Sequence, residues 1–359
     1  MTTQARHVRT LTLILVGVIP LSVAPLSLRN AADRAGVLIG AAVRPAQLSE
    51  VAYATSLSRE FNMVEPEDAM KWWVVRRNQD RFDFGPGDEV VRFAQAHRIK
   101  VRGHCLLWAR DNPEWLAQGH FTPAQVSRLL HDHIAHVMKH YAGQVFAWDV
   151  VNEALDENGD VRDSIWYNRP GIGFAGKGTR YIKQAFRWAR EADPQALLFY
   201  NEAEGEELNR KSDAIYDMVR DFKRRGVPID GVGLQLHISK LDLDVAGLEA
   251  NIARLAALGV QVHITELDVS LPLNPEGDLV SKDDLTRQAR IYRSVVRACL
   301  QTSGCTAIQT WGFTDKYSWI GSSSHGFRGM ALPLDRAYRP KPAHGTILEE
   351  LIVGRNHKR

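Results

Sequence analysis

Two glutamates in this sequence each follow a short apolar run. Glu153 closes a run that begins at Trp148, and Glu266 closes a run that begins at Val262. Both runs have strand-like composition, so each carboxyl group is expected where the chain leaves a core. Two facing carboxyl groups can cleave a glycosidic bond: a neutral one protonates the leaving oxygen, and a charged one attacks or stabilises the anomeric carbon. For either glutamate alone, a solvated or ion-paired carboxylate is the simpler interpretation.

Three polar residues beside the glutamates are candidates for supporting roles. His237 ends the strand before that of Glu266 and could hydrogen-bond its carboxylate, with Asp268 orienting the imidazole. Asn152 precedes Glu153 and could donate to a sugar hydroxyl next to the anomeric carbon. A capped core histidine and a strand-end backbone cap are the structural alternatives.

These residues require a scaffold that brings several strand ends to one mouth. The candidate strands are Val37–Val43, Phe61–Val64, Lys100–His104, Phe146–Val151, Leu197–Tyr200, Gly231–Leu236, Gln261–Thr265 and Ala307–Trp311. The segments with helical periodicity between them include Ala124–Tyr141, Tyr181–Glu191, Ser212–Lys223 and Leu248–Leu258. This alternation predicts parallel strands in a single-domain α/β fold, a closed (β/α)₈ TIM barrel over residues 35–353. An open doubly wound sheet is the alternative, but no GxGxxG follows the first strand.

Polar and aromatic residues gather at the carboxyl end of nearly every candidate strand. In strand order they are Glu67 and Lys71, His104 and Trp108, Asn152 and Glu153, Asn201 and Glu202, Gln235 and His237, Glu266 and Asp268, and Trp311 and Asp315. Barrel enzymes build their active sites at this rim, from loops of many strands. The pattern therefore predicts an enzyme.

Tryptophan is abundant, with nine residues in 359. Trp72, Trp108, Trp311 and Trp319 all fall on the predicted rim side of their strands. Flat aromatic faces pack against the apolar faces of pyranose rings, so four such residues favour a sugar platform. For any one of them, core packing is the simpler interpretation.

Composition and the first thirty residues limit the partners and the location. Hydrophobic residues make up 45% of the chain, charged residues 24%, and the net charge is only +3 with no basic stripe, which argues against a nucleic-acid partner. Arg6, His7 and Arg9 precede the apolar run Leu11–Leu21, and small residues follow up to Ala24. This order predicts a secretory signal over residues 1–30, with an unresolved cleavage site, and a periplasmic or extracellular protein without membrane association afterwards. An uncleaved membrane anchor is the alternative.

Three cysteines are compatible with export. Cys299 and Cys305 lie close enough in sequence to bridge a tight connection, although two free thiols remain possible. Cys105 lies in an apolar run and is predicted to be a buried small residue. No zinc-binding spacing is present, and nothing in their spacing supports a metal site of His104, His237 and carboxylates. Neither a metal nor a cofactor is expected.

Several segments along the chain together resemble one family. They are Phe61-Asn62-Met63-Val64 with Met70-Lys71-Trp72, Arg102-Gly103-His104, Trp148 to Glu153, Asp230 to Gln235, Thr265 to Asp268, Trp311 to Asp315 with Ser318-Trp319, and Pro340 to Ala343. In this order, and collinear from about residue 35 to 353, they resemble glycoside hydrolase family 10, whose principal activity is endo-β-1,4-xylanase.

The resemblance implies a set of roles. Glu153 would be the acid/base and Glu266 the nucleophile of a retaining hydrolase acting on xylan or xylo-oligosaccharides as a monomer. The sugar cleft would be lined by Glu67, Lys71, His104, Trp108, Asn152, Gln235, His237, Trp311 and Trp319. Cys299 and Cys305 would form a disulfide that is common in the family.

Three segments depart from the family pattern. The first has Glu67-Asp68-Ala69-Met70-Lys71-Trp72 where the family has Glu-Asn-Glu-Met-Lys-Trp. The second has Ala109 and Asp111 where the family has His and Gln after the residue matching Trp108. The third has Asn201-Glu202-Ala203-Glu204 where the family has Asn-Asp-Tyr-Asn. We expect these changes on the glycone side of the cleft, with Asp68 and Asp111 near Lys71 and paired with it. Hydrolysis should survive, since both glutamates are intact. The alternatives are a retaining β-glycosidase with another glycan preference and a carbohydrate-binding barrel with little turnover.

Overall fold

The computed structural model describes residues 26–354, in which eight parallel strands form a closed barrel. The strands are β1 (Leu38–Val43), β2 (Met63–Pro66), β3 (Lys100–Gly103), β4 (Val145–Asn152), β5 (Leu197–Glu202), β6 (Gly231–Leu234), β7 (Gln261–Val269) and β8 (Cys305–Thr310). Each strand pairs with the next along the chain, and β8 also pairs with β1, which closes the ring. The predicted (β/α)₈ barrel is therefore confirmed.

Helices lie between the strands and cover the outside of the barrel. They are α1 (Leu28–Ala35), α2 (Val51–Glu60), α3 (Trp72–Val75), α4 (Gly85–Ala96), α5 (Glu114–Ala117), α6 (Pro123–His140), α7 (Arg180–Ala192), α8 (Arg210–Arg224), α9 (Val245–Ala257), α10 (Asp283–Gln301), α11 (Ile320–Ser323) and α12 (Pro342–Gly354). A 3₁₀ turn spans Pro45–Ser49. The sequence fixes several helix starts: Thr122 and Gln125 form a reciprocal capping box before α6, with Pro123 as its first residue.

All eight strands lie where predicted, but each differs from its predicted range by one to four residues at one end or at both. Two of these differences have a visible cause. The second strand begins at Met63 rather than Phe61, because Phe61 is the C-cap of α2. The sixth ends at Leu234, because Leu236 has a φ of 58° that interrupts the extended backbone. The chain then resumes pairing at His237–Ile238, which lies against the end of β7. This break turns the side chain of His237 toward the rim.

The first and last helices meet at one side chain. The carboxylate of Glu60, at the end of α2, accepts a hydrogen bond from the backbone N–H of Leu28 in α1 at 3.0 Å. It also accepts one from the imidazole of His344 in α12 at 3.2 Å. Burial would raise the pKa of Glu60, but these hydrogen bonds and that of Arg59 lower it to about 2. The carboxylate therefore stays charged and joins three helices.

The predicted leader lies mostly outside the described residues. Residues 1–25 are not described, whereas Ser27 caps α1 through a hydrogen bond to the N–H of Asn30, so the last residues assigned to the leader belong to the folded domain. Within residues 26–354, no helix combines the length and apolar character needed to cross a membrane. Export remains a prediction.

The predicted disulfide is present. Cys299, near the end of α10, is bonded to Cys305, the first residue of β8. Cys105 is buried and free, as its apolar surroundings in the sequence suggested. The bridge fastens the connection that leads into the strand closing the barrel.

One histidine of the outer core has no hydrogen-bond partner. His133, in α6, is fully buried, and neither ring nitrogen has a partner. Its ring stacks on Trp72 with centroids 3.6 Å apart. Burial, together with the charges of Arg76 and His136, holds the pKa of His133 well below its usual value. The ring is therefore neutral in the folded protein, and protonating it there would cost free energy.

We expect His133→Phe to raise the free energy of unfolding by about 1–3 kcal/mol, because phenylalanine keeps the stack and removes an unsatisfied polar group. The gain should be larger at about pH 5 than at about pH 8, since a histidine with a lowered folded-state pKa loses stability as pH falls below about 6.5. Thermal unfolding of the variant and of an exposed control, His120→Gln, measures both. Equal gains at the two pH values would contradict the buried neutral imidazole.

Candidate active site

A cavity of about 530 Å³ opens at the carboxyl ends of the barrel strands. Among the residues that line it are Glu67, Lys71, His104, Trp108, Asn152, Glu153, Gln235, His237, Glu266, Trp311 and Trp319. These are all the residues predicted for catalysis or sugar binding except Asp268, which lies behind His237, and Trp72, whose ring is buried. The barrel thus brings side chains from its second to its eighth strand into one cleft.

Glu266, on β7, is a buried carboxylate with both oxygens hydrogen-bonded. The Nδ2 group of Asn201 donates to Oε1 at 2.7 Å, and the Nε2 group of His237 donates to Oε2 at 3.1 Å. Burial would raise the pKa of Glu266, but the hydrogen bond and charge of His237 outweigh it and lower the pKa. The group is therefore ionised at neutral pH, which a nucleophile requires.

His237 is held as a charged donor by groups behind it. Its Nδ1 donates to the Oδ2 of Asp268 at 2.8 Å, and the indole N–H of Trp319 donates to the same oxygen at 2.9 Å. Burial opposes the charge on His237, but the carboxylates of Asp268 and Glu266 raise its pKa well above the usual value. The contacts predicted for His237 and Asp268 are both present.

Glu153 follows directly after β4 and has a left-handed backbone, with a φ of 50°. A glutamate adopts this conformation only where its surroundings impose it. The backbone N–H of Glu153 donates to the carbonyl of Asn201 at 3.0 Å, which anchors the turn. Its Oε1 accepts from the Nε2 group of Gln235 at 3.2 Å, and the Nε of Arg110 lies 3.9 Å from Oε2.

A continuous path of hydrogen bonds joins the two glutamates. The Nδ2 group of Asn201, bound to Glu266, also donates to the Oδ1 of Asn152 at 3.0 Å. Gln235 donates to that same Oδ1 at 3.2 Å and to Glu153. Three amide side chains therefore set the relative positions of the two carboxyl groups. We define these three residues and the two glutamates as the amide bridge.

Asn201 is the functional residue that the sequence interpretation omitted from the site. It ends β5 at the rim, and that position was the only available signal. Its orientation is fixed from β7, because the hydroxyl of Thr265 donates to its Oδ1 at 2.7 Å. The amide of Asn152 has Oδ1 occupied and no protein partner for Nδ2 among the described residues. This leaves the Nδ2 donor free, and its contact with a sugar hydroxyl stays a prediction.

The wall formed after β2 carries a chain of ion pairs. The Nζ of Lys71 lies 3.3 Å from the Oδ1 of Asp68, and Arg44 pairs with Glu67 at 2.5 Å and with Asp68 at 3.7 Å. The predicted pairing of Asp68 with Lys71 is confirmed. For Asp111 the prediction is wrong: this residue is exposed, with a left-handed backbone at a φ of 49°, and forms no ion pair with Lys71.

The departures from the family pattern are not confined to one side of the cleft. Ala203 and Glu204 follow β5 and line the cavity three strands around the ring from Asp68, which follows β2. Glu202 also borders the cavity, where its buried carboxylate pairs with Lys211 at 3.0 Å. The cleft therefore has an ion-paired wall and an opposite wall with a small side chain at position 203.

Three of the four tryptophans assigned to the rim line the cleft. The Nζ of Lys71 lies 4.8 Å from the ring centre of Trp108 and 5.7 Å from that of Trp311. Trp319 borders the cavity next to His237. The prediction for Trp72 is wrong, because its ring is buried against His133 and its N–H donates to the carbonyl of Leu106 at 2.7 Å.

Beneath the cleft, Glu65, His104 and Asp149 have ligand atoms within 4.8 Å of one another, an arrangement of metal-binding residue types. The guanidinium of Arg102 lies among them: its Nε is 3.0 Å from Glu65, and it is paired with Asp149. This fixed positive charge lies between the two carboxylates and would repel a divalent cation. We interpret the group as a charge cluster and call these four residues the barrel charge cluster.

A (β/α)₈ barrel with two linked glutamates across a sugar-sized cleft has the features of a glycoside hydrolase. The family model for glycosyl hydrolase family 10 matches residues 27–350, and the chain belongs to that family. Endo-1,4-beta-xylanase B of Thermotoga neapolitana is 39% identical over 83% of this chain and 82% of its own.

Solved structures give the same result. The structure of xylanase 10B from Thermotoga maritima superposes with a TM-score of 0.86 at 39% identity, covering 92% of this chain and 99% of that one. Xylanase 10B from Thermotoga petrophila, solved in complex with xylobiose, has a TM-score of 0.85 at 39% identity, with 91% and 98% covered. Similarity at this level extends over the whole barrel.

We expect His237→Gln to move the acid limb of the kcat/KM profile to higher pH by about one unit, because the variant loses the charge that lowers the pKa of Glu266. The carboxylate would then be protonated over more of the acidic range. Initial rates from about pH 3 to pH 8 measure the shift. An acid limb that stays in place would contradict the role of His237.

Proposed function

We propose that this protein is an endo-1,4-β-xylanase that hydrolyses internal bonds of xylan with retention, with Glu266 as nucleophile and Glu153 as acid/base. The observation that carries the proposal is the amide bridge, which holds an ionised and a second carboxyl group across one cavity. Retaining enzymes use such a pair, about 5–5.5 Å apart, on one acetal carbon.

In the first step, Glu266 attacks the anomeric carbon while Glu153 gives its proton to the leaving oxygen, so that the glycosidic bond breaks and a glycosyl ester forms. In the second step, Glu153 takes a proton from water, whose oxygen attacks the same carbon and displaces Glu266 as a carboxylate. His237 donates to the Oε2 of Glu266 at 3.1 Å and favours its departure as an anion.

Two features support xylan as the substrate. Trp108, Trp311 and Trp319 provide flat apolar surfaces in the cleft, and Asn152, Gln235 and His104 provide groups able to hydrogen-bond hydroxyls. The similar proteins are xylanases, and one of them binds xylobiose in its solved structure.

The roles of the two glutamates can be separated by the leaving group. We expect Glu153→Ala to lower hydrolysis of xylan by about 10²–10⁴-fold. The loss should be much smaller for the first step on an aryl xylobioside, because an activated phenolate leaves without a proton. Glu266→Ala should abolish turnover of both substrates, since no glycosyl ester can form. Burst kinetics with the aryl substrate and reducing-sugar release from xylan measure the two effects.

Exposed Glu276→Ala serves as the matched control and should keep wild-type rates. If Glu153→Ala and Glu266→Ala lose the same activity on both substrates, the assigned roles are wrong. Tight binding of xylo-oligosaccharides by the wild-type protein without turnover would support a carbohydrate-binding barrel instead.

The ion-paired wall favours a second candidate, a retaining β-glycosidase of the same mechanism with altered glycan preference. The specific observation is that Asp68 takes up the ammonium group of Lys71, which is largely buried. A paired lysine offers fewer donors to a neutral sugar hydroxyl. On this basis, binding of unsubstituted xylan would be weakened while the chemistry stays the same.

We expect Asp68→Asn to lower the KM for linear xylo-oligosaccharides by about tenfold, because one charged donor is released toward the sugar. The turnover number should change less, since neither catalytic carboxyl group is touched. Michaelis constants for the variant, compared with those for exposed Asp111→Asn, test this expectation. A KM that rises or stays constant would mean that the pair does not compete with the sugar.

A further inference from the structure

Glu65 is a carboxylate inside the barrel that the mechanism above does not use. It lies on β2, between the apolar residues Val64 and Pro66, and its side chain has no exposed surface. Neither carboxylate oxygen forms a hydrogen bond of normal geometry. A charge in such a place is costly unless nearby groups compensate it.

The compensation comes from the barrel charge cluster, in which two carboxylates share one guanidinium. The Nε of Arg102 lies 3.0 Å from Glu65, and its Nη2 pairs with Asp149. The Nη1 group of the guanidinium donates to the Nδ1 of His263 at 2.8 Å, so each of the three nitrogens of Arg102 already has a partner. Two acids therefore depend on one cation, with His104 as the only other nearby cation among the described residues.

His104 connects this cluster to the active site. Its Nδ1 lies 3.0 Å from Asp149 and 3.7 Å from Glu65, and its ring lines the catalytic cavity. The Nε2 side is therefore the one available to a bound sugar. The charge of His104 is also among the causes that lower the pKa of Glu266. A change in the protonation of His104 would alter both a sugar contact and the nucleophile.

The directions of the pKa shifts agree with this geometry. The pKa of Glu65 is raised to about 8 by burial, by the charge of Asp149 and, more weakly, by that of Glu266. The positive charges of His104 and Arg102 oppose this shift. Burial works against the charge on His104, but the Cys105 sulfur and the carboxylates of Asp149 and Glu65 raise its pKa well above the usual value. The remaining neighbouring strand, β1, presents only uncharged Ala42 beside Glu65. The pair thus titrates as a unit on the alkaline side.

We propose that Glu65 is a positioning residue for the nucleophile, which keeps His104 protonated at alkaline pH by giving up its own proton first. As pH rises, the proton of Glu65 passes to solvent and leaves a negative charge 3.7 Å from the imidazole nitrogen. That charge favours the imidazolium, so Nε2 remains a donor to the substrate and the field at Glu266 is maintained. The catalytic consequence rests on the proposed function, whereas the protonation sequence does not.

Glu65→Gln tests the proposal through two readouts of opposite sign. The alkaline limb of the kcat/KM profile on an aryl xylobioside should begin at lower pH than in the wild type, by about one unit, because His104 loses its supporting charge. The melting temperature at about pH 9 should rise relative to the wild type, and rise less at about pH 5. A carboxyl group with a raised folded-state pKa costs stability as pH increases from its unfolded value, and glutamine carries no such cost.

Two further variants separate positioning from structure. Glu65→Asp retains a carboxylate and should restore most of the alkaline limb. Glu60→Gln removes another buried carboxylate, the one that joins three helices, and should lower the melting temperature without moving the alkaline limb. Coincident alkaline limbs in the wild type and Glu65→Gln would overturn the proposal. So would an alkaline limb that also moves in Glu60→Gln.

The protonation sequence can be measured without any activity. In ¹⁵N-histidine-labelled protein, the His104 resonances, assigned by their disappearance in His104→Gln, should remain those of an imidazolium well above pH 7. In Glu65→Gln they should titrate at lower pH. A wild-type His104 that deprotonates near about 6.5, the ordinary histidine value, would overturn the proposal even if the protein is a xylanase. If the xylanase assignment fails instead, this titration is unaffected.

Discussion

The site depends on the amide bridge, the line of hydrogen bonds from Glu266 through Asn201, Asn152 and Gln235 to Glu153. The strands β4, β5, β6 and β7 each contribute one of its members or end beside one. The distances within the amide bridge therefore depend on the register of these four parallel strands. A closed barrel is suited to this task because no strand has a free edge along which it could slip.

The two carboxyl groups differ because of what stands behind them. Glu266 is backed by a protonated histidine, which is itself backed by Asp268 and the indole N–H of Trp319. Glu153 stands at a strained turn after β4, with a single amide donor and a distant guanidinium. Surroundings this different allow two chemically identical groups to divide the tasks of acid and nucleophile.

Much of this could be predicted from the sequence because the signals are local. The alternation of strand and helix patterns predicted the barrel, and the polar residues after apolar runs predicted most of the residues at its rim. Pairings between distant strands could not be predicted in this way: Asn201 was seen only as a rim residue, and its contact with Glu266 depends on the closed ring. Glu65 was missed because a lone acid between Val64 and Pro66 resembles a strand end. Trp72 was misplaced because the turn after β2 rotates its ring into the core against His133.

The contact of Glu60 with both α1 and α12 has a mechanical consequence. One carboxylate, through the Leu28 amide and the His344 imidazole, fastens the first and last helices of the described chain to the same point. A force applied to α1 therefore reaches α12 through two hydrogen bonds. It does not have to pass through the eight strands of the barrel. This contact reinforces the barrel near the point where its first and last strands pair, which is the one closure that the chain itself does not connect.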